Sequence, residues 1–219
     1  ANSTLPQSDV GVVPPTDPAS SGSSTDAVIP ADARFRRPFT VAATDLGIHS
    51  YTTAPEIPTK AIRLTCSPNW ATANPSEGKF KWTEFDAELS RAESWGFSEI
   101  LYSFCATPKW AGKPVKGDDK AAFGPGTAQP PKNMEVWRDW VTAVAKRYKG
   151  RIKGYEVWNE PSSEQFYAGT VDEMVEMSEV AYDAIKKADP DAYVLSASSQ
   201  THKPEYVDDF LVPYIDGLR

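Results

Sequence analysis

The run Gly154-Tyr155-Glu156-Val157-Trp158-Asn159-Glu160-Pro161 carries the groups best suited to chemistry in this chain. A short apolar strand ends abruptly in Asn-Glu-Pro. That ending sets one carboxylic acid at the mouth of a strand, beside an amide that can bond a hydroxyl. A carboxyl group held in such a place can give or take a proton. The competing reading of Glu160 is a solvated glutamate in a turn before proline. The flanking strand and the Trp158-Asn159 pair favour the chemical role. Strand alternation puts Glu156, Trp158 and Glu160 on one face, with Tyr155 and Val157 on the other. Asn159 then falls on the wrong face, and the end of the strand or a bulge must re-aim it. Arg63 sits between Ile62 and Leu64 of another predicted strand, on the inward face. A buried arginine needs a partner. Glu156 is one candidate and a carboxylate elsewhere is the other, and both readings stand.

The surrounding pattern supplies elements to hold these groups. Candidate strands are Leu46–His49, Ala61–Thr65, Glu99–Phe104, Tyr155–Trp158 and Tyr193–Ser196. Thr83 is the expected cap of a helix with Phe85, Leu89 and Ala92 inward, stopped by Gly96. Asn133 caps a second helix, with Val136, Trp137, Trp140, Val141, Val144 and Tyr148 inward. Thr170 and Glu173 form a capping box for a third, whose inward face is Met174, Met177, Val180, Ala181, Ala184 and Ile185. A last helix starts near Pro204 and includes Val207, Phe210 and Leu211.

Strands alternating with helices predict an α/β fold with a parallel sheet. No Gly-x-Gly-x-x-Gly turn follows the first strand and no Walker-type loop is present, which disfavours a nucleotide-binding sheet. The expected fold is a (β/α)8 TIM barrel. A complete barrel takes about 250 residues, and residues 46–219 have room for about five units. The reading is therefore an incomplete barrel over 34–219, the N-terminal part of a longer protein. An open sheet edge predicts poor stability or self-association of the isolated chain. Residues 1–33 are rich in Pro, Ser, Thr and Asp, and read as a disordered tail or linker. The segment Ala106 to Lys132 is long for a βα loop, and reads as a lid over a cleft or a mobile insertion.

Composition excludes some functions. The net charge is −7 and no Lys/Arg cluster is present, so a nucleic-acid partner is not expected. No apolar run approaches the ~20 residues that span a bilayer. No ligand cluster suggests a metal, and no organic cofactor is implied. No signal peptide is present, though Ala1 fits the first position after a cleavage, and the tail points to an extracellular, secreted protein. Cys66 and Cys105 each follow a predicted strand. A bridge between them and a pair of buried thiols both fit.

Three blocks resemble a known family. They are Ile62-Arg63-Leu64 with Trp70-Ala71 and Asn74 to Trp82; Leu101 to Phe104 with Thr107-Pro108-Lys109-Trp110-Ala111; and Trp158-Asn159-Glu160-Pro161. In order and spacing they resemble the second, third and fourth strand regions of family 39-like glycoside hydrolases of clan A. Cys66 and Cys105 depart from that pattern, where a polar residue and a glycine are usual. The resemblance implies a retaining glycoside hydrolase acting on a polysaccharide or oligosaccharide. Glu160 is then the general acid/base, Asn159 a partner for a substrate hydroxyl, and Arg63 a neighbour of the attacking carboxylate. Such cleavage needs two carboxyl groups roughly 5–5.5 Å apart. The resemblance sets the second, a glutamate near the seventh strand, beyond residue 219. Trp110, Trp70 and Trp158 are candidate sugar contacts, since a flat ring matches the apolar face of a pyranose. Packing explains each of them as well. His49, near a strand end, is a further candidate for a hydroxyl. The rival functions are a non-catalytic carbohydrate-binding protein and an inactive barrel fragment.

Overall fold

The computed structural model describes residues 42–44, 54, 60–116 and 118–219. The expected tail, the expected strand Leu46–His49 and His49 itself lie outside the described residues. Five strands form one sheet in chain order: β1 (Ala42–Thr44), β2 (Ala61–Thr65), β3 (Glu99–Ser103), β4 (Ile152–Glu156) and β5 (Tyr193–Leu195). Every neighbouring pair is parallel. The short helix α1 (Trp70–Ala73) and α2 (Thr83–Ser94) follow β2, α3 (Met134–Arg147) follows β3, and α4 (Val171–Ala188) follows β4. After β5 come α5 (Pro204–Tyr206), a π-helical stretch (Val207–Leu211) and α6 (Val212–Gly217). These units build a partial (β/α)8 barrel. Among the described residues no helix is long and apolar enough to cross a membrane.

β4 begins and ends earlier than the expected Tyr155–Trp158. It opens with Ile152-Lys153-Gly154, which does not look like a strand, but lies between two partners whose ladders override local preference. Its register against β3 shifts between Ile100 and Leu101, which face Ile152 and Gly154, so Lys153 is an extra residue.

The helix starts divide into two kinds. Asn133 Oδ1 accepts the Val136 N–H at 3.0 Å, and Thr170 and Glu173 make the reciprocal pair of a capping box. Thr83 is not a cap, because Trp82 holds that position without any side-chain bond. Trp82 is stacked on Phe80 and Trp140 at 5.0 and 5.9 Å, so packing rather than a hydroxyl sets where α2 begins.

The main core lies between sheet and helices, and large aromatic side chains dominate it. Trp70, Trp137, Trp140, Trp158, Phe104 and Tyr155 are all essentially inaccessible to solvent. Trp137 packs against Trp70, Phe104 and Trp158 at 5.5, 5.3 and 5.8 Å, and its Nε1 donates to the Met177 carbonyl at 2.9 Å. That bond locks α3 to α4 while satisfying the one polar atom of the ring.

The described residues of the stretch 106–132 are tied by backbone bonds to the rest of the barrel. The bonds run to α1 (Ala71 N–H to Ala106 carbonyl, 2.9 Å), across the stretch itself (Thr107 to Thr127, 3.0 Å; Lys132 to Ala111, 2.7 Å) and to the next loop (Ala168 to Ala128, 2.8 Å).

Outside the sheet, Asp86 of α2 accepts from Arg147 Nε at 3.1 Å and from the Tyr148 hydroxyl at 3.0 Å. The Arg147 bonds hold its carboxyl below the ordinary value of 3.8, while burial opposes them. A depressed carboxylate stabilises the fold above its unfolded pKa, and that contribution fades as pH falls through the folded value. Asp86→Asn is expected to lower the denaturation midpoint at pH 7, with the gap to the parent closing below about pH 4. Trp137→Ala is expected to cost about 3–5 kcal/mol in urea unfolding.

Candidate active site

The C-terminal ends of β2, β4 and β5 meet at one arginine. Arg63 of β2 grips Glu156 of β4 with two bonds, Nε to Oε2 and Nη2 to Oε1, each 2.8 Å. The same guanidinium reaches Thr65 Oγ1 at 2.6 Å, Asn159 Oδ1 at 2.8 Å and Ser198 Oγ at 3.3 Å. Glu156 and Asn159 are 4% and 5% exposed, so both depend on these partners for their polar atoms. Of the two partners open to Arg63 in the sequence, the structure shows Glu156.

A bulge brings Asn159 to this face. Phe104 donates its N–H to the Glu156 carbonyl at 3.0 Å, and a regular parallel pair would return the bond from residue 158. The N–H of Asn159 returns it instead, at 3.2 Å. One added residue therefore reverses the alternation beyond Glu156. Asn159 turns inward to Arg63, and Trp158 turns outward to the helices.

Glu160 follows with a left-handed backbone, φ 50°. Its carboxyl is half-buried, and Gln200 Nε2 donates to its Oε2 at 2.6 Å. Ser198 Oγ accepts its N–H at 3.4 Å. Left-handed residues also follow β2 and β3, at Cys66 (φ 54°) and Ala106 (φ 63°). Each such residue costs about 1–2 kcal/mol without a glycine to relieve it. Cys66 and Cys105 form a disulfide, with Cα atoms 5.4 Å apart, that ties the exits of β2 and β3 together.

Two expected sugar contacts do not reach this face. Trp158 is sealed between Trp137 and Tyr167, each 5.8 Å away, and donates to the Phe166 carbonyl. Trp70 is stacked at 6.1 Å on Trp140, with its N–H on Asn74 Oδ1. Both rings are fully covered, so neither offers a surface to a ligand. Trp110 keeps some exposure in the rim loop, where its Nε1 bonds the Asn74 carbonyl at 2.8 Å and Lys132 lies 5.3 Å over the ring.

Ser198 and Gln200 were not among the residues singled out from the sequence. The available signal was their place, directly beyond the C-terminal end of β5, where barrel sites collect. The segment is held from behind by Tyr214 of α6, whose hydroxyl accepts the Ala197 N–H at 3.0 Å. Ser178 Oγ spends its proton on the Met174 carbonyl at 2.7 Å, so the tyrosine donates to Ser178 at 2.8 Å. Burial pushes the Tyr214 phenol up, which keeps that proton in place.

The chain is similar to known proteins over part of its length. Residues 111–211 match the profile of glycosyl hydrolases family 39, a span that includes Asn159, Glu160 and Gln200. A β-xylosidase of Geobacillus stearothermophilus is 30% identical over 105 residues, 44% of this chain and 21% of that protein. A β-xylosidase of Caldicellulosiruptor saccharolyticus is 36% identical over 77 residues, 32% of this chain and 16% of that protein. Over these spans the chain is similar to family 39 glycoside hydrolases. The partial barrel also matches the structure of a family 39 glycoside hydrolase from Bacteroides cellulosilyticus WH2. There the TM-score is 0.50 and the identity 22%, over 72% of this chain and 30% of the other, which bears on the fold. The chain spans less than a third of each of these relatives.

Both oxygens of Glu156 lie on the Arg63 guanidinium, largely out of water, so neutralising that carboxylate breaks a buried ion pair. Glu156→Gln is expected to destabilise by about 3–5 kcal/mol in denaturant unfolding. Arg63→Lys should recover little of an Arg63→Ala loss, because an ammonium cannot make the two-pronged contact.

Proposed function

We propose that the protein is a retaining β-glycosidase that cleaves β-xylosidic bonds, with Glu160 as general acid/base. The carrying observation is the placement of Glu160. It stands at the exit of β4, half-exposed, next to an asparagine pinned by Arg63, inside the span matched by the family profile. Similarity to two β-xylosidases supports this choice of sugar.

In the first step the O–H bond of protonated Glu160 breaks and the proton goes to the glycosidic oxygen. The C–O bond pair leaves with that oxygen, and a second carboxylate supplies the pair for a new bond to the anomeric carbon. Glu160 then takes a proton from water as the water displaces that carboxylate. Glu156 is unsuited to the attack, since both of its oxygens are held by Arg63. We assign the nucleophile to a glutamate outside the described residues, toward the seventh strand. Asn159, with its Oδ1 taken by Arg63, presents its NH2 group to a substrate hydroxyl. Trp110 is retained as a sugar contact. The Cys66–Cys105 disulfide favours an oxidising, extracellular setting.

The test is Glu160→Gln in the full-length protein. Hydrolysis of xylobiose is expected to fall about 10²–10⁴-fold with the fold intact by circular dichroism. Added azide, which needs no general base, should restore turnover of an activated aryl xyloside and give the β-xylosyl azide. Unchanged xylobiose turnover would remove Glu160 from the reaction.

A further inference from the structure

Gln200 has no part in the chemistry described so far, yet it makes a 2.6 Å bond to the Glu160 carboxyl. We infer that Gln200 is a positioning residue that decides which oxygen of Glu160 carries the transferred proton. The inference rests on the reading of Glu160 as the acid/base.

The geometry is specific. Gln200 Nε2 meets Oε2 alone, and among the described residues no protein donor reaches Oε1. An ionised carboxylate only accepts, so the amide must present its NH2 to it. A proton on Oε2 would point at that donor, so the protonated acid carries its proton on Oε1. Oε1 is therefore the oxygen left for the leaving group. After transfer the same N–H···O bond keeps the carboxylate in plane, ready to take a proton from water at Oε1. One donor thus orients the group in both half-reactions.

Gln200 is itself held against drift. Its backbone N–H donates to Ser162 Oγ at 3.3 Å, two residues past Glu160. Its carbonyl accepts from Ser199 Oγ at 3.1 Å. Ser198 bonds both Arg63 and the Glu160 N–H, and Ala197 is fastened to Tyr214. The segment 197–200 is a splint from β5 to the exit of β4, with Gln200 at its working end. A side chain serving packing alone would not need its amide aimed at one carboxyl oxygen.

The test compares Gln200→Met, of equal length but without a donor, with the parent full-length protein. Two substrates are used, xylobiose and 2,4-dinitrophenyl β-xyloside, whose leaving group needs no proton. The value of kcat/KM reports the first bond-breaking step. For xylobiose it is expected to fall about 10–100-fold, as for loss of a bond to a charged group. For the dinitrophenyl substrate it should stay within roughly twofold, with KM unchanged for both. An equal fall on both substrates, or no fall on xylobiose, overturns the inference. If Gln200→Met does not fold by circular dichroism, Gln200→Ser gives the same readout with a smaller side chain. Glu160→Gln run in parallel separates the two claims. If it keeps xylobiose turnover, the acid/base reading fails and takes this inference with it. If it loses that turnover while Gln200→Met does not, the inference alone fails.

Discussion

Arg63 is the constraint on which the working face of this barrel depends. Its guanidinium is planar, permanently charged and supplied with donors in a fixed fork. One prong pair takes both oxygens of Glu156, and the remaining donors reach Thr65, Asn159 and Ser198. Three strand exits are thereby referred to a single rigid group. Withdrawing the carboxylate would leave a charge with poor access to water, which is why the pair resists being taken apart even where it adds little net stability.

Around that centre, local backbone preferences give way to the site. The bulge beyond Glu156 reverses the alternation, and Glu160 accepts a left-handed conformation that glycine would adopt without cost. Neither feature helps the strand as a strand. Together they separate two adjacent residues, sending Trp158 into the helix layer and Asn159 toward Arg63. The splint 197–200, braced by Tyr214, then fixes the Glu160 carboxyl from the neighbouring strand. Strain concentrated at strand exits and held by surrounding bonds is the usual sign of a site rather than of a packing error.

The abundance of tryptophan serves the scaffold more than the face. Trp70, Trp137, Trp140 and Trp158 lie in one covered layer, with N–H groups of three of them bonded to the chain. Such a layer gives the strands a stiff backing, so that a bond as short as the one between Gln200 and Glu160 can be kept in register. Trp110, in the rim loop, retains partial exposure, as do Trp82 and Trp95.

The sequence by itself determined the alternation of strands and helices, the inward stripes of α2, α3 and α4, and two of the three helix caps. Those features follow from periodicity and from side chains acting within a few residues of themselves. It also marked Glu160, Asn159 and Arg63, because their strand context is local. Tertiary structure alone decided the rest. Whether Arg63 faced Glu156, whether Trp70 and Trp158 lay open or covered, and whether Cys66 met Cys105 all turned on partners tens of residues away. The end of β4 shows why. Strict alternation assigned Trp158 to the interior, and one extra residue opposite Phe104 overturned it. Hydrogen bonding to a neighbouring strand sets such a slip, and no pattern within the strand records it.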